Sequence, residues 1–217
     1  MKLKLNLAII VILFGLAFLS GCATSRGEVK LSIPVAIDTE LSNGKEIYIN
    51  SVVDKRLFEV KPKKPNIPSL DPDKPQSDSI KLRAIARKRN SYGKGLGDIL
   101  LKEGQTVESI IYGSLKQAFL QNGYRIIENE KQITKETYII DSQINKFWSW
   151  MNPGFWALTL STEISTDINI NRESETKNEV INVKVFDKFQ TGSESNWVSV
   201  MQNALRAYIK EVKSKLK

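Results

Sequence analysis

The residues that decide the fold read YIIDSQINKFW over 138–148 and WALTLSTEISTDINI over 156–170. In both stretches apolar and polar side chains alternate, and this period of two predicts strands with one buried face. In the first stretch the alternation places Ile144 and Trp148 on the same face. Asn152-Pro153-Gly154 lies between the stretches and is a turn signal. Together they predict an antiparallel hairpin.

Beyond this hairpin the sequence predicts a polar turn, one more strand and a helix. Residues 172–178 are polar, and Glu179–Phe189 follows with alternating apolar residues. Ser195 is the predicted N-cap of the last helix, after which apolar residues recur at steps of three and four. The inward residues of this helix are Trp197, Met201, Ala204, Leu205, Tyr208, Val212 and Leu216.

On the N-terminal side of the hairpin the sequence predicts another helix. Thr106 is its expected N-cap, and Asn122-Gly123 is its expected end because glycine commonly follows the last helical turn. Tyr124–Ile127 should then form a short strand. Before Thr106, the apolar residues Leu82, Ile85 and Ala86 are compatible with a short helix or a strand.

Two further strands are predicted near the start of the chain, over 29–37 and 46–54. Asn43-Gly44 between them favours a hairpin. Short connections between consecutive strands imply a mainly antiparallel sheet, and two amphipathic helices would cover one of its faces. We therefore expect an α+β fold, a two-layer sandwich with a mainly antiparallel sheet of about six strands and two helices on one face. A single α/β domain should span residues 29–217.

A Pro/Lys-rich basic loop is predicted at about 55–97. Five of the seven prolines lie within 61–76, and Asp54–Lys94 contains twelve Lys/Arg against five Asp/Glu. This concentration of charge favours contact with an acidic protein or an anionic envelope component, although a solvated loop that aids solubility is the alternative. Asp54-Lys55-Arg56 at its start is interpreted as a local salt-bridged turn. The candidate basic residues are Lys81, Arg83, Arg87, Lys88, Arg89 and Lys94.

The most unusual stretch is FWSWMNPGFW at 147–156, which places three of the four tryptophans at a predicted hairpin tip. Hairpin tips are normally polar, so an exposed aromatic cluster there would be a contact site for a partner or a membrane interface. The alternative is that the rings fold under the domain and cap its core. The candidate binding residues are Phe147, Trp148, Trp150, Met151, Phe155 and Trp156.

The N-terminus predicts export. Lys2 and Lys4 precede an apolar run over 7–19, which ends in Leu19-Ser20-Gly21-Cys22. A basic start, a short apolar run and small residues before a cut predict a lipoprotein signal peptide over residues 1–21. The run is short for a membrane span, which needs about 20 residues. An uncleaved anchor helix is the alternative.

The motif at Cys22 resembles the bacterial lipobox, which implies a covalent lipid on that thiol and a lipidated tether over 22–28. No other cofactor is expected. The residue after Cys22 is Ala23, and the absence of Asp there resembles the outer-membrane default of enteric-type lipoproteins. The expected localisation is the cell envelope, on the periplasmic face of the outer membrane, and this location argues against nucleic acid as a partner.

The composition argues against most hydrolytic chemistry. With no histidine and one cysteine, the chain cannot form Ser-His-Asp or Cys-His nucleophile systems, or most zinc sites. We expect no catalytic residues, no metal ligands and no enzyme activity. A carboxylate-dependent glycan hydrolase would need two carboxylates facing each other at about 5–10 Å across a cleft. Asp141, Glu163 and Asp167 give no sign of such convergence.

Several of these features together resemble the YajG-like family of bacterial lipoproteins. They are the lipobox, the run Val52-Val53-Asp54-Lys55-Arg56, the entry Gly104-Gln105-Thr106-Val107 into the helix, and the helix end Leu120-Gln121-Asn122-Gly123-Tyr124. The resemblance implies location and architecture and no catalytic set. The general layout also resembles auxiliary lipoproteins of envelope assembly and lipid-transport systems.

Two functions follow as hypotheses. The first is a non-enzymatic accessory or assembly factor that is anchored to the outer membrane and binds an envelope partner. The second is a lipoprotein that binds lipid, lipopolysaccharide or glycan. The second hypothesis requires a pocket of apolar side chains with basic residues at its mouth.

Overall fold

The computed structural model describes residues 26–35, 42–90 and 92–216. The signal peptide, Cys22 and Ala23–Ser25 of the predicted tether lie outside these residues. The fold class is confirmed as α+β with a mostly antiparallel sheet, although the described residues form eight strands and three α-helices. The elements are β1 Gly27–Val29, β2 Glu46–Asp54, α1 Asp78–Arg83, β3 Ala84–Arg89, β4 Gly95–Leu101, α2 Val107–Gln121, β5 Arg125–Ile126, a 3₁₀ turn Glu130–Gln132, β6 Tyr138–Asn152, β7 Leu158–Arg172, β8 Glu175–Phe189 and α3 Glu194–Lys215.

The long strand β6 organises the sheet. β7 is antiparallel to β6 and occupies one edge of it from Ile139 to Asn152. The other edge is shared, because β2 runs parallel to its first part up to Ile144 and β3 runs parallel to it at Ser149. A strand has only two edges, so β2 and β3 must lie end to end along β6. The sheet therefore has two ends built from different strands.

Helices α2 and α3 cover one face of the sheet. α2 begins at the predicted N-cap Thr106, whose side chain accepts a hydrogen bond from the Ser109 backbone N–H, and Gly123 follows its end at a φ of 79°. α3 has its N-cap at Ser193, two residues before the predicted Ser195. The predicted inward residues of α3 are all buried, which confirms the helical periodicity.

A β-bulge in β6 reverses the predicted alternation. The register between β6 and β7 shifts between Ile144 and Lys146. An extra residue in one strand moves every later side chain to the opposite face. Phe147 therefore joins Ile144 in the core under the helices, while Trp148 and Trp150 belong to a second cluster. The prediction that Trp148 shares a face with Ile144 is wrong for this reason.

The proline-rich segment covers that second cluster. Phe58 and Leu70 pack with Trp148 and Trp150 on the sheet face opposite the helices. The Trp148 indole Nε1 donates a hydrogen bond to the Pro65 carbonyl oxygen at 3.2 Å. Residues 56–77 thus form a third layer over one half of the sheet, where the sequence predicted a Pro/Lys-rich basic loop. The predicted loop at 55–97 also contains α1, β3 and the start of β4.

Arg56 holds the junction where β2 ends and β3 begins. Its guanidinium pairs with both oxygens of Asp54, and the NH2–Oδ2 distance is 2.7 Å. It also donates to the backbone carbonyls of Lys81, Ala84 and Phe147. The predicted salt bridge at Asp54-Lys55-Arg56 is confirmed. Because the Arg56 side chain is fully buried, it also ties β2, β3 and β6 together.

The polar turn predicted at 172–178 is wrong. β8 begins at Glu175 and pairs with β7 continuously, from Arg172↔Glu175 to Leu158↔Phe189. Only Glu173 and Ser174 form the turn, and Glu173 adopts a φ of 50°. Polar residues can continue the strands here because Glu175, Thr176, Lys177 and Asn178 are all exposed, on both faces of the hairpin.

The predicted hairpin of the first two strands is also wrong. β1 pairs in parallel with β4, and β2 pairs in parallel with β5 and β6. After Val29 the chain leaves the sheet and crosses the helices. There Ile33 approaches Gly113 of α2 so closely that a Cβ at residue 113 would lie 2.1 Å from its Cδ1. Val29 and Leu31 are therefore buried and Ile33 is partly buried, whereas Val35 is exposed. Residues 36 and 37 lie outside the described residues.

Candidate functional site

The strands extend past the C-terminal ends of α2 and α3 at one end of the sandwich. A cavity of about 460 Å³ remains there, which we call the end pocket. Its walls come from the first residues of β2, β6 and β8, the last residues of β7, and the ends of both helices. The apolar and aromatic side chains that line it are Ile47, Phe119, Tyr124, Tyr138, Ile170 and Leu216.

Three aromatic rings form one continuous wall of the end pocket. Phe119 and Tyr124 meet edge to face with 5.5 Å between ring centroids, and Tyr124 meets Tyr138 in the same way at 6.1 Å. Such edge-to-face pairs fix ring positions and add to the energy of area burial. The apolar wall is therefore held in place without a ligand.

Two cations lie over these rings. The Arg172 guanidinium carbon is 4.8 Å from the Tyr138 ring centroid, and Arg172 NH1 donates to the Tyr138 hydroxyl at 2.9 Å. The Lys45 Nζ is 5.9 Å from the Tyr124 centroid and 6.0 Å from the Tyr138 centroid. Cation–π contact holds both charges at the pocket. The Arg172 NH2 group also pairs with Glu175 Oε2 at 3.3 Å.

The helix ends beneath the pocket are capped by side chains. Lys177 Nζ donates to the Lys215 carbonyl at 3.1 Å, and Asn122 Nδ2 donates to the Lys213 carbonyl at 2.9 Å. These bonds satisfy carbonyls that would otherwise carry the partial negative charge of a helix C-terminus. Of the charged residues that line the pocket, Lys45, Arg172 and Lys177 outnumber Glu175. Arg172 pairs with Glu175, and Lys177 pairs with Glu179.

Burial shapes the chemistry of the tyrosine wall. Tyr124 is almost fully buried, and burial together with the neighbouring Tyr138 raises the pKa of its phenol. The Tyr124 hydroxyl therefore stays neutral well above physiological pH and donates to the Leu216 carbonyl at 3.4 Å. The inner part of the pocket is neutral and apolar, whereas its cations lie toward the outside.

A second cavity of about 340 Å³ adjoins the end pocket. The two share Lys45, Tyr138 and Arg172 as a common wall. The second cavity is otherwise lined by polar residues, including Thr134 and Glu136. The shared wall separates the apolar end pocket from this more polar cavity, which is also lined by the carboxylates of Glu46 and Glu136.

The aromatic residues predicted to bind a partner divide into two groups. Phe147 and Trp148 are completely buried, Trp150 is 5% exposed and Met151 is half-buried. In contrast, Phe155 is 90% exposed and Trp156 is 84% exposed. Their rings contact each other edge to face at 4.8 Å between centroids. One part of the stretch is therefore buried under the domain and the other part is exposed at the turn, and a binding role for the exposed rings stays a prediction.

The arginines of the predicted basic loop are turned into the fold. Arg83 donates to the Leu101 carbonyl, Arg87 to the Leu70 carbonyl, and Arg89 to the Pro62 carbonyl. Burial, together with the neighbouring Arg87, lowers the pKa of the Arg89 guanidinium. Of the predicted lysines, Lys81 pairs with Asp78, Lys88 is half-buried and Lys94 is exposed.

The three strand carboxylates named from the sequence each contact a neighbouring side chain. Asp141 accepts a hydrogen bond from Asn50, Asp167 accepts one from Asn145, and Glu163 pairs with Lys146 at 3.1 Å. Among the described residues, no group of three or more His, Cys, Asp or Glu side chains could hold a metal ion. None of the helices in the described part of the chain is both long and apolar enough to cross a membrane.

The end pocket was not predicted from the sequence. The sequence of β7 did contain a signal for it. Arg172 continues the inward-facing series of Ile164, Ile168 and Ile170. A charged residue at an inward-facing position marks the point where the core ends. Tyr138 continues the inward series of β6 in the same way. The convergence of these positions with Lys45 depends on the parallel pairing of β2 with β6, which no local pattern predicts.

With the geometry established, comparison with known proteins places the fold. No protein-family model matches the chain, and no curated protein matches it significantly. The fold is an α+β sandwich with a mostly antiparallel sheet. It is similar to that of protein XCC0632 from Xanthomonas campestris, of family-model DUF330, with a TM-score of 0.51, 12% identity, and coverage of 87% of this chain and 94% of that one.

Two further solved structures have lower scores. An uncharacterized protein has a TM-score of 0.49 at 9% identity, covering 89% of this chain and 99% of its own. A minor lipoprotein from Acinetobacter baumannii has a TM-score of 0.32 at 9% identity, covering 49% of this chain and 84% of its own. At these identities the comparisons concern the fold alone.

Proposed function

We propose that the chain is a lipid-anchored envelope lipoprotein that binds an amphiphile with an anionic headgroup in the end pocket. The observation that carries the proposal is the combination of a preformed aromatic wall with Lys45 and Arg172 at one pocket. Ligand pockets are concave and mostly apolar, with a few polar groups that fix orientation. The role is non-enzymatic binding, as the composition of the chain also favours.

The charge distribution orients the ligand. Ile47, Phe119 and Leu216 line the apolar part of the pocket, where a hydrocarbon chain would be buried. The headgroup would lie at Lys45 and Arg172, where charge-assisted hydrogen bonds to phosphate or carboxylate are available. The cavity of about 460 Å³ falls in the range of small-molecule sites, roughly 300–1,000 Å³, so it would take part of a lipid rather than all of it.

Binding of a fatty-acid anion tests the proposal. By calorimetry we expect the anion to bind and the neutral alcohol of the same chain length to bind more weakly, because only the anion pairs with Lys45 and Arg172. Arg172→Glu should abolish the preference for the anion. Ile170→Trp should fill the cavity and weaken both ligands equally.

Lys188→Glu is the matched control, since Lys188 is an exposed lysine of β8 far from the pocket in the strand register. If the anion binds no better than the alcohol, or if Lys188→Glu has the same effect as Arg172→Glu, the pocket proposal is wrong. Lipid that co-purifies with the protein and is lost with Ile170→Trp would identify the natural class of ligand.

The location of the chain is part of the proposal. The lipobox at Cys22 and the Ala23 that follows it support attachment to the periplasmic face of the outer membrane, as the YajG-like resemblance also implies. Cys22→Ser should prevent attachment of the diacylglyceryl group, and intact mass measurement of this variant should show a chain without acyl groups. Intact mass measurement of the wild-type protein should show the acyl chains, and an unmodified Cys22 would refute the anchor.

A further inference from the structure

The first described residues fix where the N-terminal segment leaves the fold. β1 is parallel to β4, and Gly27 is level with Ile99. Ile99 pairs with Ala86, and Ala86 pairs with Ser149 near the end of β6. Because β1 runs in the same direction as β4, away from the β6–β7 turn, the chain before Gly27 lies toward that turn. The end pocket is at the other end of β6.

Arg26 is held in place at this end. Its Nε and NH2 donate to Asp98 Oδ2 at 3.1 and 2.8 Å, and the Asp98 carboxylate is completely buried. Only four Cα-to-Cα steps separate Arg26 from Cys22. Four residues of fully extended chain span at most about 14 Å. A lipid on Cys22 therefore brings this end of the sheet close to the bilayer surface.

The described residues of the loops at this end form one surface, which we call the aromatic end, over 90, 92–94, 153–157 and 190–193. Asn90, Trp156 and Gln190 line a common shallow cavity, so the three loops are adjacent. Lys94 is the one charged residue in their sequences. Exposed side chains include Phe155, Trp156 and Tyr92, which is 93% exposed.

Lysines flank the aromatic end. The proline-rich segment passes close to it, because Arg89 at the end of β3 donates to the Pro62 carbonyl. Lys61, Lys63 and Lys64 on this segment are exposed. Aromatic rings and lysines at the same end of a domain are typical of membrane–water interfaces. There the rings lie among the headgroups and the lysines contact anionic lipid.

We propose that the aromatic end docks on the bilayer that holds the lipid anchor, with Phe155 and Trp156 inserted among the headgroups. This orientation follows from the short tether and from the composition of that end, which is aromatic and contains Lys94 as its one charged residue. β6 has fifteen residues at about 3.3 Å each, so the end pocket stands about 45 Å further from the membrane. The inference rests on the proposed anchor but is independent of ligand binding in the pocket.

Fluorescence quenching in vesicles tests the orientation. The full lipidated chain is purified from membranes, checked for acylation at Cys22 by intact mass, and reconstituted in phosphatidylethanolamine/phosphatidylglycerol vesicles with brominated acyl chains. We expect brominated lipid to quench part of the tryptophan emission, and Trp156→Phe to remove that quenched part. The other three tryptophans are buried and should contribute little to it.

A second variant tests the far end. Ser174→Trp in the Trp156→Phe background places a reporter in the β7–β8 turn, beside the end pocket. We expect this tryptophan to be quenched by a water-soluble quencher and not by brominated lipid. Quenching at both positions would mean that the domain lies flat on the bilayer, and this result would overturn the proposal.

Two other outcomes would also overturn it. An unquenched Trp156 on a lipidated chain would show that the aromatic end does not face the bilayer, and photo-crosslinking from position 156 to an envelope protein would then identify a protein partner instead. A chain without lipid on Cys22 would remove the tether argument. In either case the calorimetric test of the end pocket would be unaffected.

Discussion

The end pocket and the aromatic end use the same kinds of residues in opposite ways. At the end pocket, strands extend beyond the helices, so rings face inward and Arg172 lies directly over Tyr138. At the aromatic end the β6–β7 turn lies beyond the last paired residues, Asn152 and Thr159, and Phe155 and Trp156 are exposed. The difference shows that the relative length of neighbouring elements decides whether aromatic and basic residues enclose a ligand or form an exposed contact surface.

The largest expected effect is a difference in the free energy of unfolding between variants of two tryptophans, Trp148 and Trp156, that lie in the same stretch. Trp148→Ala removes a fully buried ring that packs with Phe58 and Leu70. We expect the free energy of unfolding to fall by about 3–5 kcal/mol, the usual range for a large aromatic truncated in a core. Trp156→Ala should change it by no more than about 0.5 kcal/mol, because the ring is on the surface. Urea denaturation of both variants measures this. Equal losses would show that Trp156 belongs to the core after all.

The same stretch shows how much of the fold could be predicted. The β6–β7 hairpin, the caps of α2 and the inward face of α3 follow from local signals: alternation, Thr106, Gly123 and a period of 3.6. The bulge after Ile144 could not be predicted, because it depends on pairing with β7. As a result the sequence placed Trp148 on the wrong face, and only the structure separates it from Phe147.

The candidate sites were predictable to different degrees. The exposed rings were named from the sequence because aromatic residues at a turn are locally conspicuous. The end pocket was not, because Lys45, Tyr138 and Arg172 lie far apart in the chain and are joined by parallel pairing of β2 with β6 and by the early ends of both helices. The basic segment was overestimated, since Arg83, Arg87 and Arg89 bind backbone carbonyls inside the fold.

The next effect concerns the aromatic end. In a chain that begins at residue 23 and lacks the anchor, replacing Lys61, Lys63 and Lys64 by alanine should weaken binding to phosphatidylglycerol vesicles by about 100-fold. Each lysine near an anionic surface contributes about 1 kcal/mol, and vesicle sedimentation measures the change.

The matched control replaces three exposed lysines away from the aromatic end, Lys131, Lys135 and Lys210. It should leave vesicle binding nearly unchanged, because these residues point away from the proposed membrane surface. The contrast should disappear at high salt, which screens exposed charges. If both triple variants bind equally weakly, net charge rather than the orientation of the domain determines membrane binding.

A smaller effect is expected at the end pocket. Arg172→Ala should weaken binding of a fatty-acid anion about tenfold, since hydrogen bonds to charged groups contribute about 1.5–3 kcal/mol and Lys45 remains. Calorimetry measures the affinity. Arg206→Ala, an exposed arginine of α3 outside the pocket lining, should have no effect. An unchanged affinity in Arg172→Ala would place the headgroup elsewhere.

The smallest effect concerns the core that both ends share. Tyr208 is completely buried and its hydroxyl bonds to that of Thr166 at 2.9 Å. Burial raises the pKa of Tyr208 well above the unfolded value of 10.0. Above pH 10.0 the folded state therefore keeps a proton on Tyr208 that the unfolded state loses. The contribution of Tyr208 to the free energy of unfolding is fully present below pH 10.0 and is lost progressively as the pH rises above it.

The effect of Tyr208→Phe on the free energy of unfolding should accordingly differ between neutral and alkaline pH. At neutral pH it should lower the free energy of unfolding by about 1 kcal/mol, because a buried hydrogen bond is lost. Above about pH 10, where unfolded tyrosine ionises, the variant should lose stability less steeply than the wild type, so the gap between them should narrow. Tyr92→Phe, at an exposed position, is the control. Parallel stability curves for wild type and Tyr208→Phe would mean that ionisation of Tyr208 does not limit the stability of the core at alkaline pH.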